Sequence, residues 1–304
     1  SAKDTIEEGM CTVVELERVV ARDTAPRAEA AQEEASAFGN AVDAFPSPFT
    51  ETTVAVSATD SLFERNAEVG LLLRGGSLTV SGCHVRDTSP NPYSGLFGEG
   101  IVAQGSTALS LAATLAVERT LVERSHESGI VLFGEAEATL DDSTVRDTLP
   151  RGFEATHGWG IGSQVIDGVA PVLTMRGSVV EGCKEAAISW QGGNLTMVDS
   201  VVRTTAPGDA LGLGDGIALV NAGVPSVAVV TASRIESNAR AGISVFGATL
   251  TLSDSTLSCN AFGLNAETFV DPPDLTDGGG NSCGCEELGE CAAVSVGLAP
   301  PPPL

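Results

Sequence analysis

The chain has 304 residues, of which 42% are apolar and 35 are glycine, so it is long and apolar enough to bury a large core. Its 16 basic and 40 acidic residues give a formal net charge of −24, which argues against nucleic acids and anionic membrane surfaces as partners. The longest nearly apolar stretch, residues 217–230, is too short to cross a bilayer, so membrane insertion is not expected.

A phrase with the pattern Ala/Val-Arg-Asp-Thr-x-Pro recurs along the chain. It ends at Pro26, Pro90 and Pro150, and a weaker copy ends at Pro207. A half-repeat lies inside this period, because the apolar residue that closes each alternating segment returns after 22–23 residues and then after 33–43 residues. These apolar residues are Val20, Phe63, Val85, Val122, Val145, Val180, Val202, Ile235 and Leu257. Short and long units therefore alternate, and the extra residues of each long unit follow the proline.

Each unit contains two short stretches in which apolar and polar residues alternate, with glycine, asparagine or aspartate at the corners. Such alternation predicts β-strands. A period near 22 residues, rich in Val, Ile, Thr and Ala, is what one coil of a parallel β-helix requires. A column at equivalent corners supports this prediction, because asparagine there tolerates the left-handed conformation and can bond to the stacked neighbour. The column consists of Asn66, Ser125, Cys183, Asn238 and Asn260.

Over about residues 11–266 the chain resembles the right-handed parallel β-helix superfamily, whose best-known members are pectate lyases and polygalacturonases. It looks most like the uncharacterised bacterial secreted and surface members. The resemblance implies an all-β solenoid of about nine rungs with alternating short and long coils, extending over residues 1–270. It is specific for the fold and implies no particular activity.

Several segments depart from the regular coil. Residues 27–38 are strong helix formers after Pro26 and predict one inserted helix near the N-terminus. Loop insertions are expected at 90–100, 150–160 and 207–216. Residues 271–304 are rich in Pro, Gly and Cys and predict a C-terminal cap with a proline tail, since a run of prolines cannot continue a strand ladder.

Four of the seven cysteines are crowded near the end of the chain, at Cys259, Cys283, Cys285 and Cys291. In an acidic chain without CxxC pairs we expect these four cysteines to form two disulfides, and all three possible connectivities stay open. A zinc site is less expected, because the spacing of Cys-Gly-Cys is too tight for the usual zinc ligands. Disulfides imply an oxidising compartment, so an extracytoplasmic location, secreted or at the cell surface, is expected. The other three cysteines are interpreted as small buried apolar residues.

The strand after each Gly-Ile is expected to point its isoleucine inward and the next and third residues outward. Among fourteen such outward positions only Arg74 is charged, which is a poor basis for acid–base catalysis. A flat neutral face usually packs against something, and we expect the protein's own loops or, less often, another subunit. The outward pairs are Leu72/Arg74, Val102/Gln104, Val131/Phe133, Gly162/Gln164, Ser189/Gln191, Ala218/Val220 and Ser244/Phe246.

Other patterns favour structural roles. Asp142, Asp199 and Asp254 recur on every second rung, about 10 Å apart, so they are expected to cap turns and cannot share a metal. The Arg–Asp pair of the recurring phrase occurs three times, at Arg22/Asp23, Arg86/Asp87 and Arg146/Asp147, whereas a catalytic residue is needed once. The histidines lack ligand spacing, so we expect no metal site and no cofactor. Calcium would enter only as a bridge to acidic glycans.

The loop insertions contain a large share of the aromatic residues, and in repeat proteins such insertions commonly form the binding face. Their rings could stack on the sugars of an extended glycan, or they could pin the loops onto the neutral sheet. The candidate ligand-binding residues are Tyr93, Phe97, Glu99, Phe153 and Trp159. No catalytic residue is predicted, and Glu154, His157 and Asp215 are the least unsuitable candidates.

Three functions remain open. The first is a non-enzymatic structural or interaction module that assembles with itself or other surface proteins, through an open rung edge near Cys11 or through the flat neutral face. The second is a glycan-binding module, for which Trp159→Ala and Tyr93→Ala should abolish retention on polysaccharide. The third is a polysaccharide lyase or glycoside hydrolase, which the charge of −24 makes a poor match for polyanionic substrates.

Overall fold

The structure is a computed structural model. It describes residues 2–7, 11–26, 39–46, 53–105, 111–152, 156–208 and 212–304, without the side chains of residues 2–7 and 11. The predicted helix at 27–38 and the candidates Phe153 and Glu154 lie outside the described residues. Within the described ranges every regular element is a β-strand, and no helix there is long and apolar enough to span a membrane.

Three sheets run the length of the molecule, and we number them in the order in which each coil visits them. Sheet 1 consists of Ala2–Glu7, Cys11–Glu17, Thr53–Thr59, Gly76–Ser81, Ala113–Glu118, Ala136–Asp141, Val172–Arg176, Gly193–Val198, Ser226–Thr231, Thr249–Ser253 and Asp274–Asp277. Sheet 2 consists of Val20–Arg22, Leu62–Glu64, His84–Arg86, Leu121–Glu123, Thr144–Arg146, Val179–Glu181, Val201–Arg203, Arg234–Glu236, Thr256–Ser258, Ser282–Gly284 and Leu288–Gly289. Sheet 3 consists of Val42–Ala44, Val69–Arg74, Glu99–Gln104, Ser128–Phe133, Trp159–Gln164, Ala186–Gln191, Asp215–Val220, Ala241–Phe246, Phe262–Glu267 and Ala293–Val294.

The chain passes from sheet 1 to sheet 2 to sheet 3 and returns, and each strand pairs in parallel with its equivalent in the next coil. We number the coils 1 to 10, starting with Cys11–Glu17 and ending with Asp274–Asp277. This is the predicted all-β parallel solenoid. The disulfide-tied cap differs from expectation, because it continues all three ladders as coil 10 before the chain turns away.

The edge strand of sheet 1 at this end is Ala2–Glu7 and not Cys11–Glu17, which differs from the expectation of an open edge near Cys11. Ala2–Glu7 pairs antiparallel with Cys11–Glu17 and covers the first parallel strand. The first coil also shifts by one residue in sheet 2: Ala21, and not Val20, pairs with Phe63. Val20 is accordingly 58% exposed.

The core is built from stacked inward side chains. Ile101, Ile130 and Ile161 pair in register in sheet 3 and are buried, as predicted for the residue after glycine. The glycine is needed because neighbouring coils approach closely at this point. A Cβ atom on Gly100 would lie 2.6 Å from the carbonyl oxygen of Gly129.

The corner between sheets 1 and 2 is held by a column of buried hydroxyl groups. The main-chain N–H of Ser143 donates to Oγ of Ser178 at 3.0 Å, and the N–H of Ser178 donates to Oγ of Ser200 at 3.2 Å. The residue before such a serine adopts the left-handed conformation, as at Asp142 (φ 48°) and Asp199 (φ 48°). The aspartate column thus lies at turns, as expected.

The corner after sheet 2 is bound by ion pairs that run from coil to coil. Arg86 contacts Glu64 at 2.6 Å, and Arg146 contacts Glu123 at 2.6 Å. Arg124 contacts Asp87, the aspartate of the recurring phrase, at 2.7 Å. The phrase therefore provides repeated ties between coils, which agrees with a structural role.

Two disulfides confirm the prediction for the cysteine quartet: Cys259–Cys285 joins coils 9 and 10, and Cys283–Cys291 closes a loop within coil 10. After the strand Ala293–Val294 the chain reverses along the outer face of sheet 3. Glu267 holds the chain at this reversal, because its Oε1 accepts hydrogen bonds from the main-chain N–H groups of Val296 and Gly297, both at 2.8 Å. We call residues 297–304 the strap.

Candidate functional site

The outer face of sheet 3 carries the outward side chains that the alternation predicts, yet they are buried. Phe246 and Ala218 are 0% exposed and Val102 is 4% exposed, although these residues lie outside the main core. Leu298 and Leu304 of the strap pack against them. The cover is thus the protein's own chain, as expected, but part of it comes from the C-terminal strap and not from the loop insertions.

Three side chains of the β-helix hold main-chain carbonyl groups of the strap. Gln191 donates from Nε2 to Pro302 at 2.9 Å, Arg240 donates from Nη1 to Ala299 at 3.2 Å, and Nε2 of His157 lies 3.2 Å from the carbonyl oxygen of Pro303. Prolines lack an N–H group and cannot pair as a ladder strand. The strap is therefore bound by side-chain donors and by its two leucines.

A cavity of about 440 Å³ lies on the same face, and its lining residues come from coils 1 to 5. Val69, Leu72 and Val102 contribute to its wall and also belong to the apolar cluster against which Leu304 packs, so the strap and the cavity are neighbours on the sheet. The full lining consists of Asn40, Glu68, Val69, Leu72, Arg74, Phe97, Glu99, Val102, Gln104, Phe133, Gln164 and Ile166. Apolar surface, two phenyl rings and a few polar groups are typical of a small-ligand site.

A column of acidic side chains lies where the chain enters sheet 3. Glu68, Glu99, Glu127, Glu185 and Asp215 occur on coils 2, 3, 4, 6 and 7, and all are buried. The register aligns Glu99 with Val69 and Asp215 with Ala186, so the five groups occupy two adjacent positions at this edge of the sheet. Successive coils are about 4.8 Å apart. Within the described residues no set of three His, Cys, Asp or Glu side chains is arranged to hold a metal ion.

Most of this column is already bound by the protein itself. Asp215 accepts hydrogen bonds from Nε of Arg240 at 2.8 Å and from the main-chain N–H of Ala241 at 3.1 Å. Glu185 is an exception, because neither of its carboxyl oxygens has a hydrogen-bond partner among the described residues, and burial raises its pKa above the ordinary value. It lies on coil 6, outside the cavity lining.

Glu99 is the member of the column that combines burial, a place in the cavity wall and an oxygen without a partner. It is 4% exposed, and its Oε2 has no hydrogen-bond partner among the described residues. Burial and then the negative charge of Glu127 raise its pKa to about 8, while Arg151 acts in the opposite direction. At neutral pH Glu99 is therefore mostly a neutral carboxylic acid that can donate a hydrogen bond.

The predicted ligand-binding residues are only partly brought together. Phe97 and Glu99 line the cavity, whereas Tyr93 is 53% exposed and lies outside its lining. Trp159 does not present its ring to solvent: it is 0% exposed, packs with Leu298 and Leu304, and stands edge to face with His157 at 4.8 Å. The ring lies on the outer sheet face beneath the strap, and the residue begins the strand Trp159–Gln164 instead of lying in the loop expected at 150–160.

The two described catalytic candidates also have structural partners. Asp215 is 0% exposed and paired with Arg240, and His157 contacts the strap at Pro303. Neither lines the cavity. Sequence analysis missed Glu68 and Glu127, because the outward projection began at the isoleucine and the acidic residues precede it by two or three positions. Their recurrence just before the strand is the signal that could have found them.

Comparisons with known proteins agree with this architecture. A family model described as a right handed beta helix region matches residues 49–268. The crystal structure of pectate lyase Pel9A is similar with a TM-score of 0.52 and 9% identity, over 92% of this chain and 77% of that chain. The catalytic domain of a GH87 alpha-1,3-glucanase in complex with tetrasaccharides gives a TM-score of 0.31 and 10% identity, over 76% of this chain and 57% of that chain. The search of curated proteins gave no match. At 9% identity the likeness to the lyase shows the fold alone.

Proposed function

The chain belongs to the right-handed β-helix family, and we propose that it is an extracytoplasmic, non-enzymatic module that binds neutral carbohydrate in the cavity on the outer face of sheet 3. The two disulfides support the location, because such bonds persist in oxidising compartments. The rigid solenoid supplies a fixed platform for the cavity wall.

The composition of the cavity wall carries the proposal. Phe97 and Phe133 supply ring faces, Leu72 and Val102 supply an apolar floor, and Gln104 supplies an amide able to donate and accept hydrogen bonds. Sugars present an apolar face of C–H groups together with hydroxyl groups at their edges. A wall of rings flanked by amide and carboxyl groups matches both surfaces.

Charge favours a neutral glycan over an anionic one. The chain carries a net charge of −24, and the cavity lining includes the carboxyl group of Glu68 in addition to that of Glu99, which is mostly neutral at neutral pH. The one guanidinium in the lining, Arg74, is 3.3 Å from the carboxylate of Asp43 and stacks over Phe45 at 5.9 Å. A polyuronate would therefore meet an unfavourable field along most of its path.

The partners of the acidic groups favour binding over hydrolysis. Glycoside hydrolysis ordinarily uses two carboxyl groups that flank the scissile bond. Glu68 and Glu99 line the cavity, but both oxygens of Glu68 are held within the protein, by the main-chain N–H of Gly39 at 3.3 Å and by the amide of Asn91. One carboxyl group, Glu99, is left to address a ligand.

Isothermal titration calorimetry tests the proposal. Wild-type protein at pH 6 is titrated with neutral gluco-, xylo- and mannohexaose, with hexagalacturonate as the anionic comparison. We expect one neutral hexasaccharide to bind, and Phe133→Ala to weaken its affinity about tenfold through loss of ring contact. Tyr93→Ala is the matched control, because that exposed ring lies outside the cavity lining, and it should bind like wild type.

Three outcomes contradict the proposal. Absence of binding for all neutral hexasaccharides removes the carbohydrate site. New reducing ends or unsaturated products in the same incubations show an enzyme, and the non-enzymatic assignment is then wrong. Unchanged affinity in Phe133→Ala would place the sugar outside this cavity.

A further inference from the structure

The carboxyl group of Glu99 differs from those directly before and after it in the column. Glu127 has both oxygens engaged, by the main-chain N–H of Phe97 at 2.9 Å and by the guanidinium of Arg151. Glu68 is likewise held at both oxygens. Oε2 of Glu99 has no partner among the described residues, although the residue is 4% exposed and lines the cavity. A buried carboxyl group with an unpartnered oxygen, in a residue that lines a cavity of ligand size, indicates a group that a ligand satisfies.

The charges around Glu99 come from both neighbouring coils and from a loop. Glu68 and Arg74, from coil 2, line the same cavity. The charges of Glu127, from coil 4, and of Arg151, from the loop after the strand Thr144–Arg146, also act on Glu99. The guanidinium of Arg74 is engaged with Asp43, and that of Arg151 with Glu127. Two further carboxyl groups thus lie near Glu99, and the nearby guanidinium groups already pair with acids.

One more titratable side chain packs at this corner. His126 lies against Gly98, the residue before Glu99, because a Cβ atom on Gly98 would lie 2.6 Å from Cβ of His126. The ring of His126 is turned to the carbonyl oxygen of Thr88, with Nδ1 at 3.0 Å. This hydrogen bond of His126 is therefore made with the main chain and not with the carboxyl group of Glu99.

We propose that Glu99 binds the ligand as a neutral acid, donating its O–H to an acceptor oxygen of the sugar, such as a hydroxyl, a ring oxygen or an N-acetyl carbonyl. This inference rests on the proposed function and specifies the chemistry of its site. A neutral acid at this position selects ligands with an acceptor oxygen there. Once deprotonated, the carboxylate has no proton to donate and repels the lone pairs of that oxygen.

The test is the pH dependence of sugar binding. Calorimetric titrations with the hexasaccharide that wild type binds best are made from pH 5.5 to 9.5. Wild-type affinity should be constant on the acid side and fall by about tenfold per pH unit once Glu99 loses its proton. Glu99→Gln keeps an N–H donor at every pH, so its affinity should be retained and nearly independent of pH. Glu99→Ala should bind weakly throughout.

A matched control and a measurement without sugar make the test decisive. Glu137→Gln removes one acidic charge from an exposed position on sheet 1 and should show the wild-type profile. In the ligand-free protein, the carboxyl carbon of Glu99, observed by ¹³C NMR, should titrate several pH units above an ordinary glutamate.

Each failure has a distinct meaning. Binding of wild type that stays constant from pH 6 to 9.5, or a Glu99→Gln variant as weak as Glu99→Ala at pH 6, overturns the role of the neutral acid and leaves the proposed function intact. An ordinary glutamate titration in the NMR experiment overturns it without any sugar. Absence of sugar binding by wild type overturns the proposed function, and this inference with it.

Discussion

Nε2 of Gln191 donates a hydrogen bond to the main-chain carbonyl of Pro302 across 2.9 Å, although 111 residues separate the two in sequence. Gln191 lies at the end of a sheet 3 strand and Pro302 lies in the strap. Since the four prolines of the strap donate no main-chain hydrogen bonds, such side-chain contacts and two leucines keep it on the sheet. The strap has few ties for its length, so it is expected to detach at a lower free energy than the coils.

Loosening the strap should expose Trp159 while the β-helix stays folded. Trp159 packs with Leu298 and Leu304, whereas the other tryptophan, Trp190, belongs to the main core. The double variant Leu298→Ser, Leu304→Ser should show stronger acrylamide quenching and a red shift of tryptophan emission, with an unchanged far-ultraviolet circular dichroism spectrum.

The variant Trp159→Phe provides the control, because its remaining tryptophan is enclosed by the coils. Adding the two serine substitutions to Trp159→Phe should leave emission and quenching unchanged. A red shift in that background would mean that the core itself opens, and the strap would then be part of the folding unit.

The sequence was sufficient to predict the coils, because their determinants are local and repeated. Ile101, Ile130 and Ile161 each follow a glycine, and one projection places all of them inward. The path of the strap could not be predicted in this way. A run of prolines excludes a ladder strand, but nothing local to Pro302 identifies Gln191 as its partner.

The site illustrates the same limit. Phe97 and Glu99 were recognised as candidate ligand-binding residues, and both line the cavity. The sequence predicted Phe133 only as an outward-pointing strand residue. Its place in the cavity wall depends on the space left between the neighbouring coils and the strap, which no single segment determines. The burial of Glu99 is likewise a property of several coils together, so the neutral acid could not be predicted from its own segment.

The hydroxyl column at the first corner should contribute measurably to stability. Oγ of Ser178 accepts a hydrogen bond from the main-chain N–H of Ser143 at 3.0 Å and donates to the carbonyl of Arg176 at 2.9 Å. Ser178→Ala leaves that buried N–H unpaired, and we expect the free energy of unfolding to fall by about 1–3 kcal/mol in urea titrations.

Ser244 offers a matched control for this prediction. It is also 0% exposed, but its Oγ has no hydrogen-bond partner among the described residues. Ser244→Ala removes a buried hydroxyl that gains nothing in the folded state, so it should be neutral or stabilising. Equal losses in the two variants would show that the hydroxyl column does not stabilise the corner.

Glu123 should make the protein sensitive to acid. Burial by itself raises its pKa, but hydrogen bonds from Arg146, Arg124 and His84 outweigh burial and lower the pKa to about 2. Because the pKa is lower in the folded state, the stabilisation is present above the ordinary glutamate range and is lost as the pH falls from about 4.5 towards 2. Glu123→Gln should therefore be less stable than wild type at pH 7.

The difference between wild type and Glu123→Gln should shrink as the pH is lowered from 5 to 3, as measured by urea unfolding at each pH. Glu286→Gln, an exposed glutamate in the cap, should follow wild type throughout. A constant difference down to pH 3 would mean that the ion pairs of sheet 2 do not hold Glu123 ionised in the folded protein.

Glu99 should make the folded protein less stable as the pH rises, which is opposite to the effect of Glu123. Its pKa is raised to about 8 in the folded protein, from 4.5 for an ordinary glutamate. Below about pH 4.5 Glu99 is protonated in both the folded and the unfolded state, so it does not change the free energy of unfolding. Between about pH 4.5 and pH 8 Glu99 is ionised in the unfolded chain but still protonated in the folded protein. The free energy of unfolding therefore falls over this range, by up to about 1.4 kcal/mol per pH unit. Glu99→Gln carries no such penalty, so its stability relative to wild type should rise between pH 5 and pH 8.

Urea unfolding of wild type, Glu99→Gln and the exposed control Glu137→Gln at pH 5, 6, 7 and 8 measures this difference. Parallel stability curves for wild type and Glu99→Gln would show that the carboxyl group is already ionised at pH 5 in the folded protein.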